Sequence, residues 1–281
     1  MSLPKHPAPL TGVSETALMT LNSRAAEARR PDRILDDPMA IRLVDSIDFD
    51  FTKFGRTGQA TALRGLAFDT HTRDYLQQHP SATVVALAEG LETSFWRLNA
   101  TVVDAEFRWL TIDLPPVIHL RSQLLPSSPR IAMRAQSVLD YSWMDQIDPD
   151  AGVFITAEGL LMHLEPERAL NLIAESARRF PGGQLLFDLP PARAAKSSRR
   201  RGLRISRRYR APALPFGASP SQLATWLTSM TGVSSIHNLR FPRGRSRTLN
   251  AVLALNHRLG GRLGTSLTLV EFGRASSTSD G

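Results

Sequence analysis

The sequence predicts an α/β fold in which a mostly parallel β-sheet carries helices on both faces. Short apolar runs recur along the chain, and an amphipathic helical pattern separates the fourth run from the fifth. The runs are continuous rather than alternating, which is typical of strands that are covered on both faces. A strand, a helix and a second strand in series favour parallel pairing through a right-handed crossover.

Five apolar runs are predicted to form strands, and each ends near a Gly, Asp, Ser or Pro residue: 83–88, 108–114, 131–138, 152–159 and 183–190. The helix before the last of them opens at Glu165 and Pro166 and stops at the Phe-Pro-Gly-Gly sequence of residues 180–183. A further helix is predicted at 221–230, and two candidate closing strands follow at 234–241 and 266–273.

Two helices are predicted ahead of the first strand, over residues 14–29 and 62–78, with a proline-punctuated turn region at 30–40 between them. We interpret residues 1–63 as a helical N-terminal extension within one domain that spans residues 1–281. The tail, residues 275–281, is expected to fray.

The composition excludes several classes of protein. With 42% hydrophobic residues the chain is not a disordered one, and the absence of cysteine excludes disulfides, thiolate zinc sites and cysteine nucleophiles. We expect no metal site. No apolar run approaches the length of about 18 residues that a membrane span needs, and the first ten residues lack the apolar core of a secretory signal. A cytoplasmic location is therefore expected.

The net charge of +8 is unevenly distributed, since residues 1–188 carry −6 and residues 189–281 carry +14. Much of the excess lies in an arginine-rich stretch, and we interpret residues 191–220 as a basic insertion or lid. Such a stretch can be solvated, can attract an anionic small molecule, or can contact nucleic acid. Only Tyr209 and Phe216 could stack on bases there, so nucleic acid is the least favoured partner.

Three acidic or glycine-containing features lie where predicted strands end. The stretch 84–99 runs from a strand into a turn with Gly90, although Ala88 stands where a second glycine might be expected. Asp113 ends the next strand, where doubly wound sheets place an acid that accepts hydrogen bonds from ribose hydroxyls. Glu158 leaves the fourth strand and could bind a cationic amino group or a sulfonium. Together they favour a cofactor that contains a nucleoside.

Several motifs in the same order resemble the leucine carboxyl methyltransferase family of class I S-adenosylmethionine-dependent methyltransferases. The likeness is greatest to the branch that includes tetracenomycin-type polyketide O-methyltransferases, and it covers roughly residues 14–190. The matching motifs are TLNSRAAEARRPDRILDDPMA (20–40), RGLAFD (64–69), VVALAEGLETSFWRL (84–98), TIDLPPVIHLR (111–121), SVLDYSWMD (137–145) and AEGLLMHL around Glu158. The resemblance implies a Rossmann-like, seven-stranded, mostly parallel sheet with helices on both faces.

The resemblance also implies roles at the methionine end of S-adenosylmethionine. Arg64 would pair with the methionine carboxylate, because a guanidinium binds a carboxylate through two parallel hydrogen bonds. Gly90 would let the backbone pass beneath the methionine moiety, with Ala88 close to the cofactor. Glu158 would contact the amino group, and Arg24 would reach the same pocket from the N-terminal helix.

At the nucleoside end, the resemblance assigns Asp113 to the ribose. Ser137, Val138 and Asp140 would lie around the adenine.

The turn departs from the family pattern L-G-x-G-x-D-T-R. Ala88 replaces a glycine, Ser94 replaces an arginine, and His163 stands where a tyrosine is usual. A non-catalytic cofactor-binding protein therefore stays open as an alternative.

The function implied is methyl transfer to an oxygen, with a carboxylate of a small acid or polyketide-like metabolite as the expected acceptor. A carboxylate is ionised at neutral pH, so it needs alignment rather than a base. A phenolic acceptor would need a general base, and Glu158 and His163 are the candidate catalytic residues. A nicotinamide-dependent oxidoreductase is the alternative enzyme, but binding a dinucleotide requires a three-glycine motif that the chain lacks.

Overall fold

The centre of the protein is a seven-stranded sheet in the computed structural model, which describes residues 5–102 and 106–274. The strands are β1 (Thr83–Leu87), β2 (Arg108–Asp113), β3 (Ile131–Ala135), β4 (Val153–Ala157), β5 (Gln184–Leu189), β6 (Val233–Leu239) and β7 (Ser266–Phe272). Their order across the sheet is 3-2-1-4-5-7-6. Strands β1 to β5 pair in parallel, whereas β7 is antiparallel to both β5 and β6. The predicted fold class is confirmed.

Nine α-helices lie in the described ranges: α1 (Thr16–Ala28), α2 (Pro38–Ser46), α3 (Ala60–Gln78), α4 (Ser94–Asn99), α5 (Pro115–Leu124), α6 (Pro166–Arg179), α7 (Ala192–Ser198), α8 (Pro220–Thr228) and α9 (Arg247–Arg258). Short 3₁₀ helices occur at Phe51–Phe54, Tyr141–Gln146 and Leu161–His163. None of the helices in these ranges has both the length and the apolar character that crossing a bilayer requires.

Helices cover both faces of the sheet, as neighbouring residues of β1 show. Val84 and Ala86 belong to a buried cluster with Phe68 of α3. Val85 and Leu87 point the other way and belong to a second cluster, which contains Leu172 and Ile173 of α6. Successive side chains of a strand point to opposite faces, so a strand covered on both sides is apolar throughout.

A third buried cluster holds the N-terminal helices against the body of the protein. It contains Leu18 and Leu21 of α1, Leu43 of α2, Val117 of α5 and Tyr209 of the basic insertion at residues 191–220, called the basic segment below. The packing places α1 beside the turn that follows β1. The N-terminal residues and the basic segment therefore meet on the same side of the sheet.

Three local features differ from the sequence prediction. Helix α2 begins inside the region expected to be a turn, because Pro38 occupies its first turn and the Asp37 side chain accepts a hydrogen bond from the Ala40 amide (2.9 Å). Helix α9 was not predicted, and its amino end is capped by Ser246. Strand β3 is shorter than expected and partly exposed, because it lies at the edge of the sheet. The tail expected to fray, residues 275–281, lies outside the described residues.

Candidate functional site

A cavity of about 380 Å³ lies at the carboxyl ends of β1, β2 and β4. Residues of α1, of the loop after β3 and of the basic segment complete its walls. In open α/β sheets, ligands bind in the crevice outside the carboxyl ends of the strands, where the strand order reverses. This cavity is therefore the candidate functional site.

Most of the residues singled out from the sequence line this cavity: Arg64, Ala88, Gly90, Asp113, Ser137, Val138, Glu158 and His163. Two others do not. Arg24 is buried in an ion network behind the turn that follows β1. Asp140 is exposed, and its carboxylate caps the 3₁₀ helix Tyr141–Gln146 by accepting a hydrogen bond from the Ser142 amide (3.2 Å).

The turn after β1 has two residues in the left-handed region of backbone conformation. Gly90 has φ +60° and Ala88 has φ +48°. Within the described ranges, Ala88 is the one non-glycine residue with a positive φ. An L-residue in this region costs about 1–2 kcal/mol relative to its normal conformation. Gly90 is also constrained by packing, because a Cβ atom there would lie 2.7 Å from the Ala17 Cβ of α1.

The Asp113 carboxylate ties the turn to the end of β2. One oxygen accepts the Gly90 amide hydrogen (2.8 Å), and the other accepts that of Leu114 (2.7 Å). Burial raises the pKa of Asp113, while these two backbone hydrogen bonds act in the opposite direction. Each carboxylate oxygen keeps one further acceptor position, and the residue lines the cavity.

Arg121 of α5 supports the same turn from behind. Its Nη1 donates to the carbonyl oxygens of Gly90 (2.7 Å) and Glu92 (3.0 Å), and its Nη2 donates to Glu89 (2.8 Å). Glu89 also accepts hydrogen bonds from Thr111 and from the Trp109 ring nitrogen. Burial raises the pKa of Glu89, and the charge of Arg121 opposes that effect. The turn is thus fixed by a fully buried guanidinium.

A second buried ion network joins the turn to the N-terminal helices. Arg24 pairs with Asp37 (3.2 Å) and Glu92 (2.7 Å), and Arg97 pairs with Asp37 (2.7 Å), Glu92 (2.8 Å) and Asp69 (2.6 Å). Burial by itself would raise the pKa of Asp37, but the charges of Arg97 and Arg24 hold it below its ordinary value. The network connects α1, α3 and α4 to the wall of the cavity.

Ser94, which replaces the arginine usual in the family motif, lies at the edge of this network. Its hydroxyl accepts a hydrogen bond from Arg97 Nη2 (2.8 Å). The network therefore has a guanidinium next to the position that lacks one.

Arg64 lies between two carboxylates at the other end of the cavity. Its Nε donates to Glu158 (2.9 Å), and its Nη1 donates to Asp188 at the end of β5 (3.2 Å). Asp188 also accepts the Gly159 amide hydrogen (2.6 Å). Burial raises the pKa of Glu158 to about 7, and the nearby charge of Arg64 only partly offsets that rise. One guanidinium thus serves two acids.

His163 lines the cavity at the end of its 3₁₀ helix. Its Nδ1 is buried and makes no hydrogen bond with any residue in the described ranges. Burial lowers the pKa of His163 from its ordinary value, so the ring is neutral at pH 7 and one of its nitrogens can accept a proton.

The basic segment reaches the opening of the cavity through a short antiparallel hairpin, residues 203–211. Leu203 and Ile205 line the cavity and are among the more exposed large apolar residues. The hairpin is anchored where the Tyr209 ring packs edge-on against Phe54 (4.8 Å between centroids) and where Arg208 pairs with Asp50 (2.6 Å). The segment therefore contacts the N-terminal extension across the opening.

Sequence reasoning missed Glu89, Arg121 and Asp188. Asp188 closes a predicted strand, as Asp113 does, so its position at the carboxyl edge was a usable signal. Arg121 gave no such signal, because its partners are backbone carbonyls some 30 residues earlier in the chain. Within the described ranges, no cluster of three or more His, Asp or Glu residues could hold a metal ion.

Comparison with known proteins identifies similar sequences and a similar fold. The sequence model of the leucine carboxyl methyltransferase family matches residues 17–177. The chain is 31% identical to the tetracenomycin polyketide synthesis O-methyltransferase TcmP of Streptomyces glaucescens, over 83% of this chain and 94% of that protein. It is 27% identical to the S-adenosyl-L-methionine-dependent methyltransferase dpfgK of Gibberella zeae, over 67% of this chain and 70% of that one.

Among solved structures, a predicted methyltransferase from Thermobifida fusca superposes with a TM-score of 0.56 at 14% identity, covering 91% of this chain and 94% of that chain. This likeness concerns the fold alone.

The torsion angle of Ala88 leads to a prediction about stability. In Ala88→Gly, the strain of about 1–2 kcal/mol is relieved, while the greater freedom of glycine in the unfolded chain costs about 0.4–1 kcal/mol. We expect the free energy of unfolding in urea to rise by about 0–1.6 kcal/mol. Ala86→Gly, in β1 and without such strain, is the matched control and should lower it by about 1 kcal/mol. Equal losses in the two variants would contradict the strained turn.

The contact between Gly90 and Ala17 leads to a second prediction. Gly90→Ala should lower the free energy of unfolding by about 2–4 kcal/mol, through the positive φ and the overlap with α1. Ala17→Gly removes the overlap but not the torsional strain. We therefore expect a double-mutant cycle, measured by urea unfolding, to give a favourable coupling of about 1 kcal/mol or more. Additive losses would show that α1 does not constrain this glycine.

Proposed function

The chain belongs to the leucine carboxyl methyltransferase family, and we propose that it transfers a methyl group from S-adenosylmethionine to an oxygen atom of a small-molecule acceptor. The observation that carries this proposal is the set of charges that meets in one cavity: Arg64, Glu158 and Asp113 at the carboxyl edge of the sheet. A cytoplasmic location is part of the same proposal.

The methionine end of the cofactor fits the unused hydrogen-bonding positions of Arg64 and Glu158. Arg64 uses its Nε and Nη1 for ion pairs, and its Nη2 donates no hydrogen bond within the described ranges. Within the described ranges, Glu158 accepts a hydrogen bond only through its Oε1 atom. The free guanidinium nitrogen would bind the cofactor's carboxylate, and the second oxygen of Glu158 would bind its ammonium group.

The nucleoside end fits the residues beyond the turn. Asp113 has acceptor positions left for two ribose hydroxyls, which are donors that a carboxylate can bind together. Leu114, Val117 and Val138 supply apolar surface for the adenine, and Ser137 supplies a hydroxyl. Ala88 and Gly90 shape the floor between the two ends. Arg24 would act indirectly, by holding Glu92 and the turn in place.

The reaction itself asks the protein for alignment and a dry pocket. When bound, S-adenosylmethionine supplies an electrophilic methyl carbon, which bonds to the acceptor oxygen as its bond to sulfur breaks and the electron pair stays on sulfur. The Arg64–Glu158 pair would orient the methionine end, and the 203–211 hairpin would exclude water from the mouth.

A carboxylate acceptor is supported by the charge of the basic segment. Nine Lys and Arg residues lie between 193 and 210, and Arg208 is the one that pairs with an acidic side chain of the described ranges. The uncompensated charge beside the cavity would attract an anionic acid, and a carboxylate needs no base because it is ionised at pH 7.

A hydroxyl acceptor is the second candidate, and His163 is the observation that favours it. The ring lies in the cavity wall, and its lowered pKa keeps it neutral. It could therefore take the proton that a phenol releases on methylation.

An oxidoreductase and a nucleic-acid-binding protein receive less support from the site. Family membership and the turn geometry give no support to a nicotinamide-dependent oxidoreductase. The two aromatic residues that could stack on bases, Tyr209 and Phe216, are both buried, so the basic segment offers no stacking platform for nucleic acid. The positive Arg64 and the negative Glu158 in the cavity wall match a methionine group, which itself carries one negative and one positive charge.

Binding of the cofactor tests the proposal directly. Titration calorimetry should show binding of S-adenosylmethionine and S-adenosylhomocysteine, and Arg64→Ala should weaken both by about 10- to 100-fold, because a charge-assisted hydrogen bond is lost. Arg178→Ala, an exposed arginine of α6, is the control and should change neither. Thermal unfolding without ligand checks that both variants fold. Equal affinity of Arg64→Ala and the wild type would refute the role given to Arg64.

The pKa of Glu158 leads to a pH dependence. Because that pKa is raised to about 7, the carboxylate gains a proton as the pH falls from 7.5 to 6 and loses its attraction for an ammonium group. The cofactor's amino group, with a pKa of about 7.7–8.0, is mostly protonated at pH 7.5 and becomes fully protonated toward pH 6, which opposes the fall only slightly. We expect calorimetric affinity for S-adenosylmethionine to fall several-fold toward pH 6 in the wild type. In Glu158→Gln the affinity should be low and nearly constant, and a persisting pH dependence would assign it to another group.

A further inference from the structure

Arg64 and Asp188 also line a second cavity, of about 250 Å³, on their far side. Its walls come from the start of α3, from α9 and from the segment that precedes β7. We propose that this second cavity holds the apolar body of the methyl acceptor, a molecule of about two fused rings that carries one oxygen function. The inference rests on the proposed function, because it places the acceptor relative to the cofactor.

The lining of the second cavity is mostly apolar: Ala60, Leu63, Phe241, Leu249, Val252, Leu253 and Leu263. Asn256 is polar, and its side chain holds the wall together by accepting from the Leu263 and Gly264 amides and donating to the Thr265 carbonyl (2.8–3.0 Å). These contacts use both acceptor positions of its oxygen and one of its two N–H donors. Charge enters only at the end formed by Arg64 and Asp188.

This distribution matches an acceptor with an apolar body and one polar end. The polar end would face Arg64, which lines both cavities. Two of the five N–H hydrogens of its guanidinium are used within the described ranges, so one of the others could bind the cofactor's carboxylate and another the acceptor. An oxygen there would lie beside the first cavity, in which the proposed function places the sulfonium that carries the methyl group. The charges of Asp188 and Arg64 nearly cancel, so the polar end can be a carboxylate or a hydroxyl.

Size and exposure support the same occupant. An engineered apolar cavity of about 150 Å³ binds benzene, so about 250 Å³ accommodates a two-ring body. Val252 and Leu263 at its edge are 49% and 40% exposed, and covering apolar surface favours binding. The acceptor would thus enter beside α9.

Two probes with the same rings test this placement: 1-naphthol and 1-naphthoate, titrated by calorimetry into the full chain with S-adenosylhomocysteine present. We expect at least one to bind. Val252→Trp, which fills the cavity, should weaken that binding about tenfold or more and leave the affinity for S-adenosylhomocysteine unchanged. Leu255→Trp is the matched control, because Leu255 lies on the same helix, is similarly exposed and does not line the cavity. It should change neither affinity.

The outcomes separate this inference from the proposed function. If S-adenosylhomocysteine binds but neither probe does, or if Val252→Trp binds the probes as the wild type does, the placement of the acceptor is wrong. If the wild type does not bind S-adenosylhomocysteine, the proposed function fails and the acceptor role of the cavity fails with it. Preference for one probe identifies the oxygen function, since the two differ in charge at neutral pH.

Discussion

The candidate site depends on a backbone turn that two buried charged side chains hold in an unfavourable shape. The Asp113 carboxylate accepts the Gly90 amide from the front, and the Arg121 guanidinium donates to the Gly90 and Glu92 carbonyls from behind. Without these partners, buried backbone groups would be left unpaired, which is costly in a region that excludes water. The same turn fixes the position of α1, because Ala17 packs directly on Gly90.

Buried ion pairs carry a free-energy cost, because each charged group must lose its contacts with water. The chain nevertheless uses Arg24, Arg97 and Arg121 behind the cavity and Arg64 in its wall. The first three have partners on several sides and make the turn rigid. Arg64 differs from them because it lines the cavity, where its Nη2 makes no hydrogen bond with any residue of the described ranges. The arginines behind the cavity support the turn, although Arg121 Nε makes no hydrogen bond within the described ranges, whereas Arg64 lines the cavity in which a ligand would bind.

Much of the fold could be predicted from the sequence, because strands buried on both faces appear as continuous apolar runs. Asp113 and Glu158 were recognisable for a related reason, since each ends such a run. Helix α2 was missed because prolines suggested a turn, although a proline in the first helical turn is well tolerated. Arg121 could not be found, since nothing in the chain around it indicates that its partners lie on another element. The second cavity was equally hidden, because α9 and the residues before β7 meet only in the folded protein.

The left-handed backbone at Ala88 bears on how such proteins are recognised. Signature searches match letters, and at this position they ask for glycine because glycine reaches the required torsion angles most easily. This chain reaches a left-handed torsion angle at this position with an alanine, at a cost of about 1–2 kcal/mol. Relatives with a bulkier residue at the same corner would be passed over by a glycine-based pattern, yet recovered by comparing torsion angles along the first strand–helix junction.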